Sequence, residues 1–90
     1  MREVRFSRIF SKNLKKLPKS QQQKLIACLD LIKVDPYHPN LHTKPLSGRL
    51  SEYSSFRLSR DYRALFQVFP SHIDLVNVGH RKDIYRLIPS

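Results

Sequence analysis

Apolar residues change their spacing several times along this chain, and each change marks an element. Val4 and Phe6 alternate with Arg5 and Ser7, the period of a short strand. Ile9, Phe10, Leu14 and Leu17 then recur on one helical stripe, with Lys12, Lys15 and Lys16 largely on the wet side and Ser7 or Ser11 placed to cap the start. Pro18 closes this helix, because the residue before a proline is pushed away from helical geometry. Ser20 followed by Gln23 predicts a capping box for a second helix. Leu25, Ile26, Cys28, Leu29 and Ile32 supply its apolar face, and Asp35-Pro36 stops it. Two helices with so short a connector read as a helical hairpin.

Residues 35–49, with three prolines, Asn40 and Gly48, predict a loop. Its length is high for a compact domain and suggests a functional or partner-contacting segment. Three strands follow, at about 53–59, 62–69 and 72–79, turned at Asp61 and at Pro70-Ser71. Connections this short make antiparallel neighbours. Residues 82–87 fit either a helical turn or an extended tail. The order is β-α-α-β-β-β, an α+β fold in which an N-terminal strand and a helical hairpin pack on one face of a twisted antiparallel sheet. It forms a single domain over residues 1–90 and leaves the other sheet face partly open. In the strand near residue 56, Phe56 and Leu58 share the face toward the helices, while Ser55, Arg57 and Ser59 point the other way.

Composition sharpens this picture. Ninety residues, 40% apolar, make one domain with a modest core. The formal net charge is +10 and the isoelectric point about 10.3, a footprint that calls for an anionic partner. The charge is uneven: residues 1–19 hold Arg2, Arg5, Arg8, Lys12, Lys15, Lys16 and Lys19 against Glu3 alone. A second cationic group comes from the arginines of the C-terminal third. Cys28 is the sole cysteine, which rules out an internal disulfide framework, and its place on a helix's apolar face predicts an inert core thiol. No apolar run is long enough for a signal peptide or a membrane span, and cytoplasm is the expected location.

Cations inside strands are costly unless the face they share meets an anion. Arg57 falls on the open face. Arg63 begins the next strand, where it either lines the site or pairs with Asp61 or Asp74; Tyr62 is expected to pack. Val78-Gly79 lets a strand end close to another backbone, and His80, Arg81 and Tyr85 follow. A guanidinium holds a phosphate through paired hydrogen bonds, and a histidine or tyrosine can move a proton. RNA carries its own nucleophile in the 2′-hydroxyl, so cleavage needs only in-line positioning, charge stabilisation and proton transfer. The same residues also suit a binding surface without catalysis. Rival chemistries fit less well. The seven carboxylates are scattered, His38 and His42 are separated by a proline, and with only Gly48 and Gly79 there is no glycine-rich phosphate loop. No metal site and no cofactor are expected.

The element order, Leu46-Ser47-Gly48, Phe56-Arg57, Asp61-Tyr62-Arg63, and Val78-Gly79-His80-Arg81 with Tyr85 resemble the RelE/ParE superfamily of bacterial and archaeal toxins, over nearly the whole chain. The RelE branch implies a ribosome-dependent messenger RNA endonuclease, neutralised by an antitoxin, that cuts in the ribosomal A site without a metal. By that resemblance Arg57 and Arg81 hold phosphate and transition-state charge. Tyr85 positions or stacks on the substrate and serves in proton transfer, with His80 a second candidate. The paired lysines that some RelE toxins carry on the preceding strand are here Ser54 and Phe56, and Lys44 or Arg49 from the loop are candidates to compensate. Lys12, Lys15 and Lys16, with Lys44, Arg49 and Arg63, are the expected contacts to ribosome and RNA. The implied partners are a small acidic antitoxin, in a toxin–antitoxin hetero-oligomer, and the ribosome with its messenger. The ParE branch shares the fold and implies a DNA gyrase inhibitor instead. A relative without catalysis, binding only an antitoxin or nucleic acid, is the third class.

Overall fold

The computed structural model describes residues 2–87, with side-chain surroundings through Tyr85; the ends of the domain expected over residues 1–90 lie outside the described residues. The first strand, β1 (Glu3–Phe6), leads into α1 (Arg8–Leu14) and α2 (Lys19–Val34). A single 3-10 turn (Pro39–Leu41) and a two-residue strand, β2 (Lys44–Pro45), precede a second 3-10 turn at Gly48–Leu50. Then come β3 (Ser54–Arg57), β4 (Tyr62–Val68) and β5 (His72–His80), and a last 3-10 turn at Ile84–Leu87. The five strands form one sheet in the order β1-β5-β4-β3-β2.

The α+β architecture is the one the sequence implies, with two refinements: β2, inside the segment read as a loop, adds a fifth strand, and one pairing is parallel. β1 pairs with β5 in parallel, Val4 opposite Ile73, while the other three pairings are antiparallel, so the sheet is mixed. The long connection from β1 to β5, through both helices and the three other strands, makes that possible, because a tight hairpin cannot join a parallel pair. Ser7 fixes the corner. Its hydroxyl accepts the Phe10 amide at 3.0 Å, capping α1, and donates to the Val76 carbonyl at 2.7 Å, pinning the helix start to β5.

α1 stops at Leu14, one turn short of Leu17, and the capping box expected at Ser20 does not form. Pro18 takes the N-cap position of α2 without a side-chain bond, and the Gln22 amide donates back to the Leu17 carbonyl at 2.9 Å. Leu25 and Ile32 are buried with Leu29 packed beside them, a spacing of four and three residues. Ile26 lies a helical step off that stripe and is 63% exposed. Ile9, also expected inside, is exposed as well.

The main core lies between the helices and the sheet: Phe10, Leu17, Leu25 and Ile32 meet Phe56, Ala64, Phe66, Ile73, Leu75 and Val78. Phe56 and Phe66 pack tilted, with centroids 5.7 Å apart. A smaller core covers part of the opposite sheet face, where Leu65 and Ile84 are buried with Leu46, Leu50, Tyr53 and Val76 around them. The segment expected as a functional or partner-contacting loop is therefore largely committed to structure. Leu41 is fully buried, Lys44 and Pro45 pair with Ser55 and Ser54, and Leu46 and Leu50 lie on the second core.

Candidate functional site

What the second core leaves uncovered is the end of the sheet where β3 stops and β4 begins. Arg57 is the last residue of β3 and Arg63 the second of β4, and the ladder sets them directly opposite each other. Arg63 is in turn opposite Gly79 of β5. Directly opposite residues share a face, so Arg57, Arg63 and Gly79 form one row across three strands, on the side away from the helices. Arg57 is exposed and Arg63 half-buried. Neither makes an ion pair among the described residues; the pairs that form are Arg5–Glu3, His72–Asp74 and Arg81–Asp61. The partnership expected between Arg63 and Asp61 or Asp74 does not occur, because both carboxylates are turned to other groups.

One step along the same face, Lys44 lies opposite Ser55 and Ser55 opposite Leu65. Ser55, expected in the open, is instead fully buried, its hydroxyl without a hydrogen-bond partner among the described residues. Ser59, expected beside Arg57, lies elsewhere, because β3 ends at Arg57 and its alternation with it. The Ser59 hydroxyl donates to the Gln21 side chain of α2 at 2.7 Å. Arg49 is exposed in the turn whose Leu50 packs around Leu65 and Ile84.

Arg81 follows β5. Its amide donates to the Asp61 carbonyl at 2.7 Å, and its Nε stands 3.7 Å from an Asp61 carboxylate oxygen. The 61–62 corner and the end of β5 thus hold Arg81 at two points. Ile84 is buried on Leu65, which seats the last turn, and its neighbour Tyr85 is 40% exposed.

His80 goes to the other side. It is opposite Tyr62, their rings meeting edge-on with centroids 5.5 Å apart. Its Nδ1 accepts the Lys82 amide at 3.1 Å, which leaves Nε2 to carry the proton in the neutral ring. With Tyr62 it lines a groove of about 220 Å³ shared with Asn13, Lys16 and Leu17 beside α1, and with Val78, Gly79 and Asp83. The structure thus separates the expected site residues into two sets. Arg57, Arg63 and Lys44 share the second face. His80 and Lys16 share the groove beside α1, with Lys12 and Lys15 exposed on and just after that helix. Sequence reasoning missed the groove and the Arg81–Asp61 contact; residue alternation from Val78 would have sent His80 to the helix side.

Cys28 is half-buried rather than a core thiol, its Sγ 4.0 Å from the Arg57 carbonyl, and burial pushes its pKa up. Among the described residues no three of His, Cys, Asp and Glu gather as a metal-ligand set, and no helix is long and apolar enough to cross a membrane.

A profile of the family described as the ParE toxin of type II toxin-antitoxin system, parDE, matches residues 4–85. The chain belongs to this family and is a toxin of a type II toxin–antitoxin system within the RelE/ParE superfamily. Among solved structures it is similar to YafQ from Escherichia coli strain BL21(DE3), at 19% identity and a TM-score of 0.78, covering 91% of this chain and 96% of that one. It is similar to the RelB–RelE antitoxin–toxin complex from Methanococcus jannaschii, at 25% identity and a TM-score of 0.77, covering 96% of this chain and all of that chain. A YoeB/ParE toxin from Agrobacterium tumefaciens matches at 14% identity and a TM-score of 0.78, covering 88% and 98%. No curated protein matches the sequence.

Proposed function

We propose that this toxin is a ribosome-dependent messenger RNA endoribonuclease whose substrate backbone lies across the row of Arg57, Arg63 and Gly79. One observation carries the reading: two arginines placed directly opposite each other on the sheet face away from the helices, with no carboxylate among the described residues paired to either. Like charges in that position repel, and an anion between them removes the penalty. A phosphodiester fits, since each guanidinium can donate two parallel hydrogen bonds to phosphate oxygens.

In the reaction proposed, a ribose 2′-hydroxyl gives up its proton and attacks the adjacent phosphorus; the bond to the 5′-oxygen of the next nucleotide breaks and that oxygen takes up a proton, giving a 2′,3′-cyclic phosphate and a 5′-hydroxyl. Arg57, Arg63 and Arg81 stabilise the charge that builds on the non-bridging oxygens. Guanidinium groups stay protonated and cannot serve as bases. Tyr85, exposed beside the anchored Ile84, stacks on a base and takes part in proton transfer. Lys44, opposite Ser55 two residues before Arg57, presents an exposed amine on the same face. His80 faces the groove and has no part in this step. Lys12, Lys15 and Lys16 grip ribosomal RNA from the helix side. A cognate antitoxin, small and acidic, neutralises the toxin in a hetero-oligomer, as antitoxins accompany the RelE and YafQ structures this fold resembles.

The matched family carries the ParE name, and the ParE branch implies a second target, DNA gyrase. Expressing the chain from a tightly controlled promoter and mapping transcript ends within minutes separates the two. Codon-phased cuts support the endonuclease; intact messages with stalled replication support gyrase.

A further inference from the structure

Gly79 sits inside a strand, where glycine weakens the sheet by its backbone entropy and its missing side chain. Three internal reasons could keep it there, and each fails. A left-handed backbone does not require it, because Gly48 is the only glycine with positive φ. A bulge does not require it, because the break in the β4–β5 register falls between Leu65 and Phe66 while Gly79 pairs regularly with Arg63. Crowding does not require it, because a Cβ built at this position meets no atom of the described residues within 4 Å.

What remains is a reason outside the folded chain. Gly79 shares its face with Arg63, which shares it with Arg57, and strands about 4.8 Å apart make this row roughly 10 Å across. Two cations and a bare stretch of backbone suit an extended polyanion that needs both charge and close approach. We propose that Gly79 is the clearance over which the ribose–phosphate backbone of the RNA passes, so that a side chain here lifts the scissile phosphate off the arginines. This rests on the endonuclease reading above. It makes Gly79 a positioning residue, acting through where the phosphate sits relative to Arg57 and Arg63.

The consequence runs against the usual coupling of stability and activity. Gly79→Ala and Gly79→Val fill empty space in the free protein and suit a strand, so both should fold with a melting temperature equal to or above that of the wild type. Displacing the reacting phosphate by about an ångström costs on the order of 10²-fold in rate. The test measures thermal melting together with cleavage of a defined messenger on programmed ribosomes, for the purified wild type and both variants. The expected result is unchanged or raised melting temperature with cleavage reduced on the order of 10²-fold for Gly79→Val and by less for Gly79→Ala, the loss falling on kcat. Folded variants that cut at the wild-type rate overturn the role of Gly79 and leave the endonuclease reading standing. Lowered melting temperatures overturn it too, by showing that the fold itself needs the glycine. A wild type that does not cut overturns both.

Discussion

Arg57 and Arg63 face each other across the β3–β4 ladder with no ion-pair partner for either among the described residues. Opposed like charges cost a few tenths to about 1 kcal/mol, so the fold carries this pair at a small loss. Arg63→Gln should leave the melting temperature unchanged or slightly raised. Messenger cleavage should fall on the order of 10²–10³-fold, the scale of losing one preorganised charge-stabilising donor. Thermal melting and ribosome cleavage assays on the same preparation check both halves.

Arg81→Ala should abolish growth arrest and leave the protein folded. The Arg81–Asp61 pair is long, at 3.7 Å, with both side chains about half exposed, so its loss costs less than about 1 kcal/mol. The backbone bond from the Arg81 amide to the Asp61 carbonyl survives the change and keeps the turn. Colony formation on induction, set beside a circular dichroism melt, is the check.

Lys12→Glu, Lys15→Glu and Lys16→Glu together should weaken co-sedimentation with ribosomes and flatten its salt dependence, by about 0.7–0.9 in log–log slope for each phosphate no longer neutralised. The cleavage sites should not move, because lysines that grip phosphates position the protein without reading sequence. Lys16 also lines the groove with His80, so the Lys12/Lys15 pair alone is the cleaner comparison. Unchanged binding at every salt would make this helix face a solubilising surface only.

Ile84→Ala should destabilise the protein by about 2–5 kcal/mol, since Ile84 is fully buried against Leu65 and its truncation leaves a cavity. Tyr85→Ala, at a half-exposed neighbour, should cost little stability and much activity. Denaturant melts and ribosome cleavage assays on the two variants check both halves.

The order of the two helices and the four longer strands, and the face of Arg57, are legible in the sequence because they follow from local period. Phe56 and Arg57 are adjacent in a strand, so one must look away from the core. Legibility ends where local period ends. Ser59 lies two residues past Arg57, yet β3 has stopped, and its hydroxyl turns to Gln21 on α2. The parallel docking of β1 depends on pairing Val4 with Ile73, 69 residues away, and nothing near Val4 encodes it. Arg81 finds Asp61 through a turn and a strand end that meet only in the folded sheet. Alternation alone makes Ser55 a surface residue, and the second core that buries its face is assembled from Leu46, Leu50 and Ile84, all outside the strand being read.

In the proposed activity the chain cuts messenger RNA by 2′-hydroxyl attack on the ribosome. Purified toxin added to ribosomes programmed with a defined messenger, with the RNA ends mapped and their chemistry determined, tests it most directly. The expected result is a cut within the A-site codon, dependent on the ribosome, leaving a 2′,3′-cyclic phosphate and a 5′-hydroxyl. An intact messenger beside inhibited gyrase supercoiling would contradict the claim, and a cut leaving a 5′-phosphate and a free 3′-hydroxyl would contradict its chemistry.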